Sequence, residues 1–167
     1  MSVVRQFLDT NVAVYAYDAA EPAKQAVAQR LLRQGILEEN SVISVQVLGE
    51  FFHAVTRRIR RPMTDAEASS AVNSIKVLPV VEIDTQLVER AIETLRRYGI
   101  SYWDALIVAA AERSDCRKLL SEDLNSDQRY HGIVVVNPFV AVTDGGPSTP
   151  AGQGSEPPST PSTCPEN

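Results

Sequence analysis

Four acidic residues, Asp9, Glu50, Asp104 and Asp123, stand where an acid is awkward unless something uses it. Asp9 directly follows the apolar run 3–8, in Leu8-Asp9-Thr10-Asn11, where an Asp also makes a good helix cap. Glu50 lies within Ser44-Val45-Gln46-Val47-Leu48-Gly49-Glu50, and its helical neighbours Val47 and Ala54 put it at the edge of an apolar stripe. By itself it reads more readily as a solvated Glu, and its place early in a helix that follows a short strand is what lifts it. Asp104 heads the apolar row of Ile107 and Val108 and, with Ser101, approximates a capping box. An ionised carboxylate beside a core must be paired, hydrogen-bonded or metal-bound. Asp123 follows the run 118–120, where Ser, Asp and Asn also make turns; Glu122 and Asp127 are its rivals. Brought together, such acids raise one another's pKa unless a cation joins them. Oxygen ligands, without a His or Cys cluster, favour Mg²⁺ or Mn²⁺ over zinc. His53 and His131 have no companion that would suggest a zinc site.

The elements that must position these acids alternate. Short runs rich in Val, Ile and Leu at 3–8, 41–44, 78–83, 118–120 and 133–136 read as strands covered on both faces. Helical patterns fill 11–19, 22–38, 45–60, 64–76, 85–98 and 103–114. Thr64 with Glu67 forms a capping box, and Asp84 is a cap for the helix after it. Alternation predicts a three-layer α/β/α sandwich around a mainly parallel sheet. In such sheets ligands bind beyond the carboxyl ends of the strands, where three of the four acids fall.

A length of 167 residues suits one domain with its own core. The expected boundaries are a domain over 1–143 and a disordered Pro/Gly/Ser/Thr-rich tail over 144–167. Net charge is −5, but Asp144, Glu156 and Glu166 belong to the tail, leaving 18 acids against 16 bases. A protein that binds nucleic acid by counterion release alone is usually basic, so either the substrate is not a polyanion or bound cations and a local basic patch make up the difference. Arg57, Arg58, Arg60 and Arg61 are the densest such patch, and equally suit a solvated helix end. Cys116 and Cys164 make neither a disulfide framework nor a zinc pattern. With no secretory pattern at the N-terminus and no apolar run long enough to span a bilayer, a cytoplasmic protein is expected.

In order, Leu8-Asp9-Thr10-Asn11, Ile43-Ser44 through Gly49-Glu50, Trp103-Asp104-Ala105 and Leu120-Ser121-Glu122-Asp123-Leu124 resemble the motifs of the PIN domain, most of all those of VapC toxins. The resemblance covers residues 3–136. It implies a ribonuclease with an acidic Mg²⁺ or Mn²⁺ site in which Asp9, Glu50 and Asp104 match the three core acids and Asp123 the more variable fourth. Asp9, Asp104 and Asp123 are the expected metal ligands, with Thr10, Asn11 and Ser44 in support. It further implies hydrolysis by metal-activated water leaving a 5′-phosphate, a homodimer, a small antitoxin partner, and tRNA or rRNA as target. An aspartyl phosphatase would want an acid where Asn11 stands, and a receiver domain would want neighbouring N-terminal acids and a late Lys. The remaining alternative is a catalytically silent interaction module of the same fold.

Overall fold

The structure is a computed structural model and describes residues 3–143. The segment 144–167, expected to be a tail, lies outside the described residues. In chain order the elements are β1 (Gln6–Leu8), α1 (Thr10–Tyr17), α2 (Pro22–Leu37), β2 (Ser41–Ser44), α3 (Val45–Arg57), α4 (Asp65–Ile75), β3 (Val80–Val81), α5 (Thr85–Tyr98), α6 (Tyr102–Arg113), β4 (Lys118–Leu120), β5 (Arg129–Tyr130), β6 (Ile133–Val136) and α7 (Val140–Thr143).

One six-stranded sheet runs in the order β3-β2-β1-β4-β6-β5. All neighbours are parallel except β5 and β6. Helices α5 and α6 pack together, and α6 touches β2, β4 and β6; α1 to α4 form a second packed group that reaches β2 through α2 and α3. Double coverage leaves no solvent face on β2: all four of its positions are buried, the apolar Val42 and Ile43 together with the flanking Ser41 and Ser44. Helix α6 is buried over every residue from Ala105 to Ala111, so its small side chains let it lie close against the sheet.

Local chemistry sets the helix starts. Asp9, Ser44, Thr64, Asp84 and Ser101 each accept a hydrogen bond from a backbone N–H of the helix that follows. The Thr64–Glu67 capping box is complete in both directions. Gly99 ends α5 in the left-handed region at φ 66, where a side chain would be strained.

Helix α7 lies beyond the helices expected, and three strands differ from the sequence reading. β1 begins at Gln6 rather than at residue 3, because pairing with β2 and β4 starts there. β3 is reduced to two residues, since it pairs only with β2 at the sheet edge. β5 was not expected, because a two-residue strand, Arg129–Tyr130, is too short to show a pattern. It forms through a two-residue hairpin in which His131 (φ 49) and Gly132 (φ 82) are both left-handed, the geometry that matches strand twist. Among the described residues, no helix is long and apolar enough to cross a membrane.

Candidate active site

Strand β1 delivers Asp9 to the carboxyl edge of the sheet, between the ends of β2 and β4. The chain connects β1 to β2 on one side, whereas β4 lies on the other, which opens a crevice at that edge. Asp9 is 6% exposed. One carboxylate oxygen, Oδ1, accepts from the Thr10 N–H at 2.7 Å, and Oδ2 accepts from the Ser121 hydroxyl at 2.6 Å. Burial pushes its pKa up to about 6; the Ser121 and Thr10 hydrogen bonds pull it down, and the charges of Asp123 and Glu50 push it further up. The group is thus dry, anchored and crowded by negative charge.

Glu50 comes from α3, in its second turn after the Ser44 cap. Its Oε2 accepts from the Thr10 hydroxyl at 2.6 Å and its Oε1 from the Gln46 amide at 2.8 Å. The same Gln46 nitrogen donates to the Trp103 carbonyl at 3.2 Å. Ser44 is buried, and its hydroxyl caps Val47 rather than meeting an acid. Asp123 Oδ2 accepts from the Asn11 amide at 3.2 Å, and the Ser121 hydroxyl also accepts from the backbone N–H groups of Asp123 and Leu124. Ser121, fully buried, therefore ties Asp9 to the loop that carries Asp123.

Neighbours in that loop point apart. Glu122 turns toward α1 and α2, where it pairs with Lys24 and accepts from the Tyr15 hydroxyl at 2.7 Å. That leaves Asp123 facing Asn11. Asp127 is exposed at φ 67 and lies outside the cleft. Asp104 stands at the start of α6, its carboxylate accepting from the Ser101 hydroxyl at 2.7 Å. Among the described residues no hydrogen bond joins it to the other three acids. Its charge is felt at the buried Tyr130 hydroxyl, whose pKa is raised chiefly by burial and then by Asp104.

An open cleft of about 1060 Å³ is lined by Thr10, Asn11, Glu50 and Asp123, by Trp103, and by Arg58 and Arg60. Arg57 and Arg61 are exposed but do not line it, so the basic cluster divides. A second cleft of about 690 Å³, around Arg5, Cys116 and His131, precedes β1 and β4 and contains none of these acids. Gln46 and Ser121 carry the site's orientation without having stood out in the sequence. Gln46 was findable from its i,i+4 spacing to Glu50; for Ser121 the signal was a hydroxyl directly after a buried strand. Chemically the crevice offers oxygen donors and a surplus of negative charge beside an arginine-lined wall.

That acidic constellation, set on a parallel sheet, coincides with a family match. The PIN domain model matches residues 7–131. The chain belongs to the PIN domain family. No curated protein matches it closely enough to add to this. Solved structures share the fold. The VapC20 toxin of Mycobacterium tuberculosis, which cleaves the sarcin–ricin loop, aligns at a TM-score of 0.55 and 24% identity, covering 71% of this chain and 89% of that one. A toxin–antitoxin complex from Klebsiella pneumoniae aligns at 0.59 and 17%, covering 80% and 98%. DNA-bound VapBC from Salmonella typhimurium aligns at 0.57 and 19%, covering 80% and 97%. The PIN domain here thus carries the α/β sandwich shared by VapC toxins.

Proposed function

We propose that this PIN domain is a Mg²⁺- or Mn²⁺-dependent endoribonuclease and the toxin of a toxin–antitoxin pair. The observation that carries the reading is the linked set of Asp9, Glu50 and Asp123, joined through Thr10, Ser121 and Asn11 at the carboxyl edge of the sheet. PIN nucleases generally use divalent metals, and the donor set fits one: oxygens only, with Asp9 pushed up to about 6 by burial and like charge. Among the described residues no three His, Cys, Asp or Glu side chains yet enclose an ion-sized space. Asp9, Asp104 and Asp123 would hold the cation, with Glu50 completing the acidic set. When bound, the cation supplies charge neutralisation at the phosphate and acidification of the attacking water.

The chain's own groups do the positioning. Thr10 presents its N–H to Asp9 and its hydroxyl to Glu50, fixing two acids from adjacent elements. Ser121 holds the other oxygen of Asp9, and Asn11 orients Asp123. Such supporting contacts commonly matter 10–100-fold in metal affinity or activity. Glu50, partly exposed in the cleft, is placed to take a proton from attacking water. Attack by water leaves the ribose 2′-hydroxyl unused; with the P–O3′ bond broken, as in the family's reaction, one fragment leaves with a 3′-hydroxyl and the other carries a 5′-phosphate. A homodimer, a small antitoxin and a tRNA or rRNA target belong to the same reading; the VapBC neighbours and the sarcin–ricin loop toxin support it.

The test is cleavage of a mixed RNA pool by purified protein freed of partner, in Mg²⁺, Mn²⁺ or EDTA. Wild type is run beside Asp9→Asn and Asp104→Asn. Metal-dependent cutting is expected, with a loss of at least about 100-fold in either variant. Defined tRNA and rRNA follow if the pool survives. Intact RNA throughout, from folded protein, would make the chain a silent interaction module.

A further inference from the structure

Trp103 is the only tryptophan in the chain and is left 62% exposed, although it stands in the first turn of a helix that is buried from Ala105 to Ala111. It meets Tyr102 edge-on, with ring centroids 5.1 Å apart. Its position is not arbitrary. It lines the same cleft as Glu50, Asp123, Arg58 and Arg60. The Gln46 amide nitrogen donates both to the Trp103 carbonyl and to Glu50 Oε1, and Gln46 is itself only 8% exposed. One buried amide therefore fixes the indole's backbone relative to a candidate catalytic carboxylate.

Resting on the nuclease reading, we propose that Trp103 is a stacking platform for an unpaired nucleobase adjoining the scissile phosphate. Every base has a π-face, so an exposed indole accepts any of them, and the strand's phosphates would run toward Arg58 and Arg60. A base inside a duplex has both faces occupied by its neighbours and cannot stack on the indole. The platform thus selects single-stranded loops over paired stems. Charge agrees with this occupant: the cleft is lined both by acids suited to a cation, Glu50 and Asp123, and by arginines suited to a polyanion, Arg58 and Arg60.

A single tryptophan makes the test direct. Its fluorescence is followed in the Asp9→Asn protein as single-stranded oligoadenylate, oligouridylate or a fully paired RNA duplex is titrated in with Mg²⁺, binding being read independently by gel shift. Quenching by the single strands and not by the duplex is expected. In cleavage assays, Trp103→Ala raises KM for single-stranded RNA roughly 5- to 100-fold with kcat little changed, and Trp103→Phe recovers part of the loss. RNA that binds or is cut while emission and the Trp103→Ala KM stay unchanged overturns the platform and leaves the nuclease standing. Blue-shifted emission that is insensitive to RNA and disappears on dilution overturns it in favour of a second copy covering the indole. RNA neither bound nor cut removes both readings together.

Discussion

Asp9 is held by one hydroxyl and one backbone N–H but faces two other carboxylates with little water to screen them. Its native pKa, about 6 against an ordinary 3.8, means that the folded state keeps a proton the unfolded chain gives up. Between pH 3.8 and 6 the native state therefore binds more protons, and stability falls as pH rises through that window. At neutral pH the cost is about 3 kcal/mol. In EDTA, Asp9→Asn should melt several degrees above wild type at pH 8, with the gap closing below about pH 4; calorimetry across that range checks it. Equal melting temperatures at pH 8 would mean the carboxylate is better solvated than its burial implies. The acids themselves were legible from sequence, because each interrupts or abuts an apolar pattern. Gln46 and Ser121 left only faint signals, a spacing to Glu50 and a place after a strand, since a polar residue in a helix or loop is normally solvated and only the assembled fold buries these two. Asp104 was legible as both a cap partner and a candidate ligand, and its bond to Ser101 fits the first role without removing the second.

Packing of α2 on β2 depends on a missing side chain. A Cβ at Gly35 would lie 2.5 Å from Ser41 Cβ, and Ser41 is fully buried. Gly→Ala in a helix ordinarily stabilises by about 0.5–1 kcal/mol. Gly35→Ala should instead destabilise by about 1–3 kcal/mol through overpacking. Gly49, in α3, meets nothing within 4 Å, so Gly49→Ala should show the ordinary gain. Denaturant midpoints of the two variants, moving in opposite directions, are the check. Element types were legible where periodicity was strong: six helices and the cores of five strands fall where pattern and caps put them. What the pattern overreached is pairing. The stretch 78–83 is apolar enough for a longer strand, but only Val80 and Val81 find partners at the sheet edge. β5 escaped because a His–Gly hairpin lacks the usual Asn–Gly signature.

Taken whole, the chain is acidic, yet its proposed substrate is a polyanion, so affinity has to come from local charge. Arg58 and Arg60 face the cleft whereas Arg57 and Arg61 do not. Alanine at the first pair should weaken RNA binding across sequences and lower the slope of log affinity against log salt by about 0.7 per arginine; alanine at the second should leave the slope nearly unchanged. Filter binding over a salt series distinguishes the two. The order of strands carries a different consequence. Asp9 and the Ser121 that holds it are 112 positions apart in the chain, and β4, which delivers Ser121, sits beside β1. A growing polypeptide thus has its first acid long before it has the partners that hold it. On the proposed function, no competent nuclease would form until β4 and the loop bearing Ser121 have been made and have folded against β1, which would leave time for an inhibitor to be waiting.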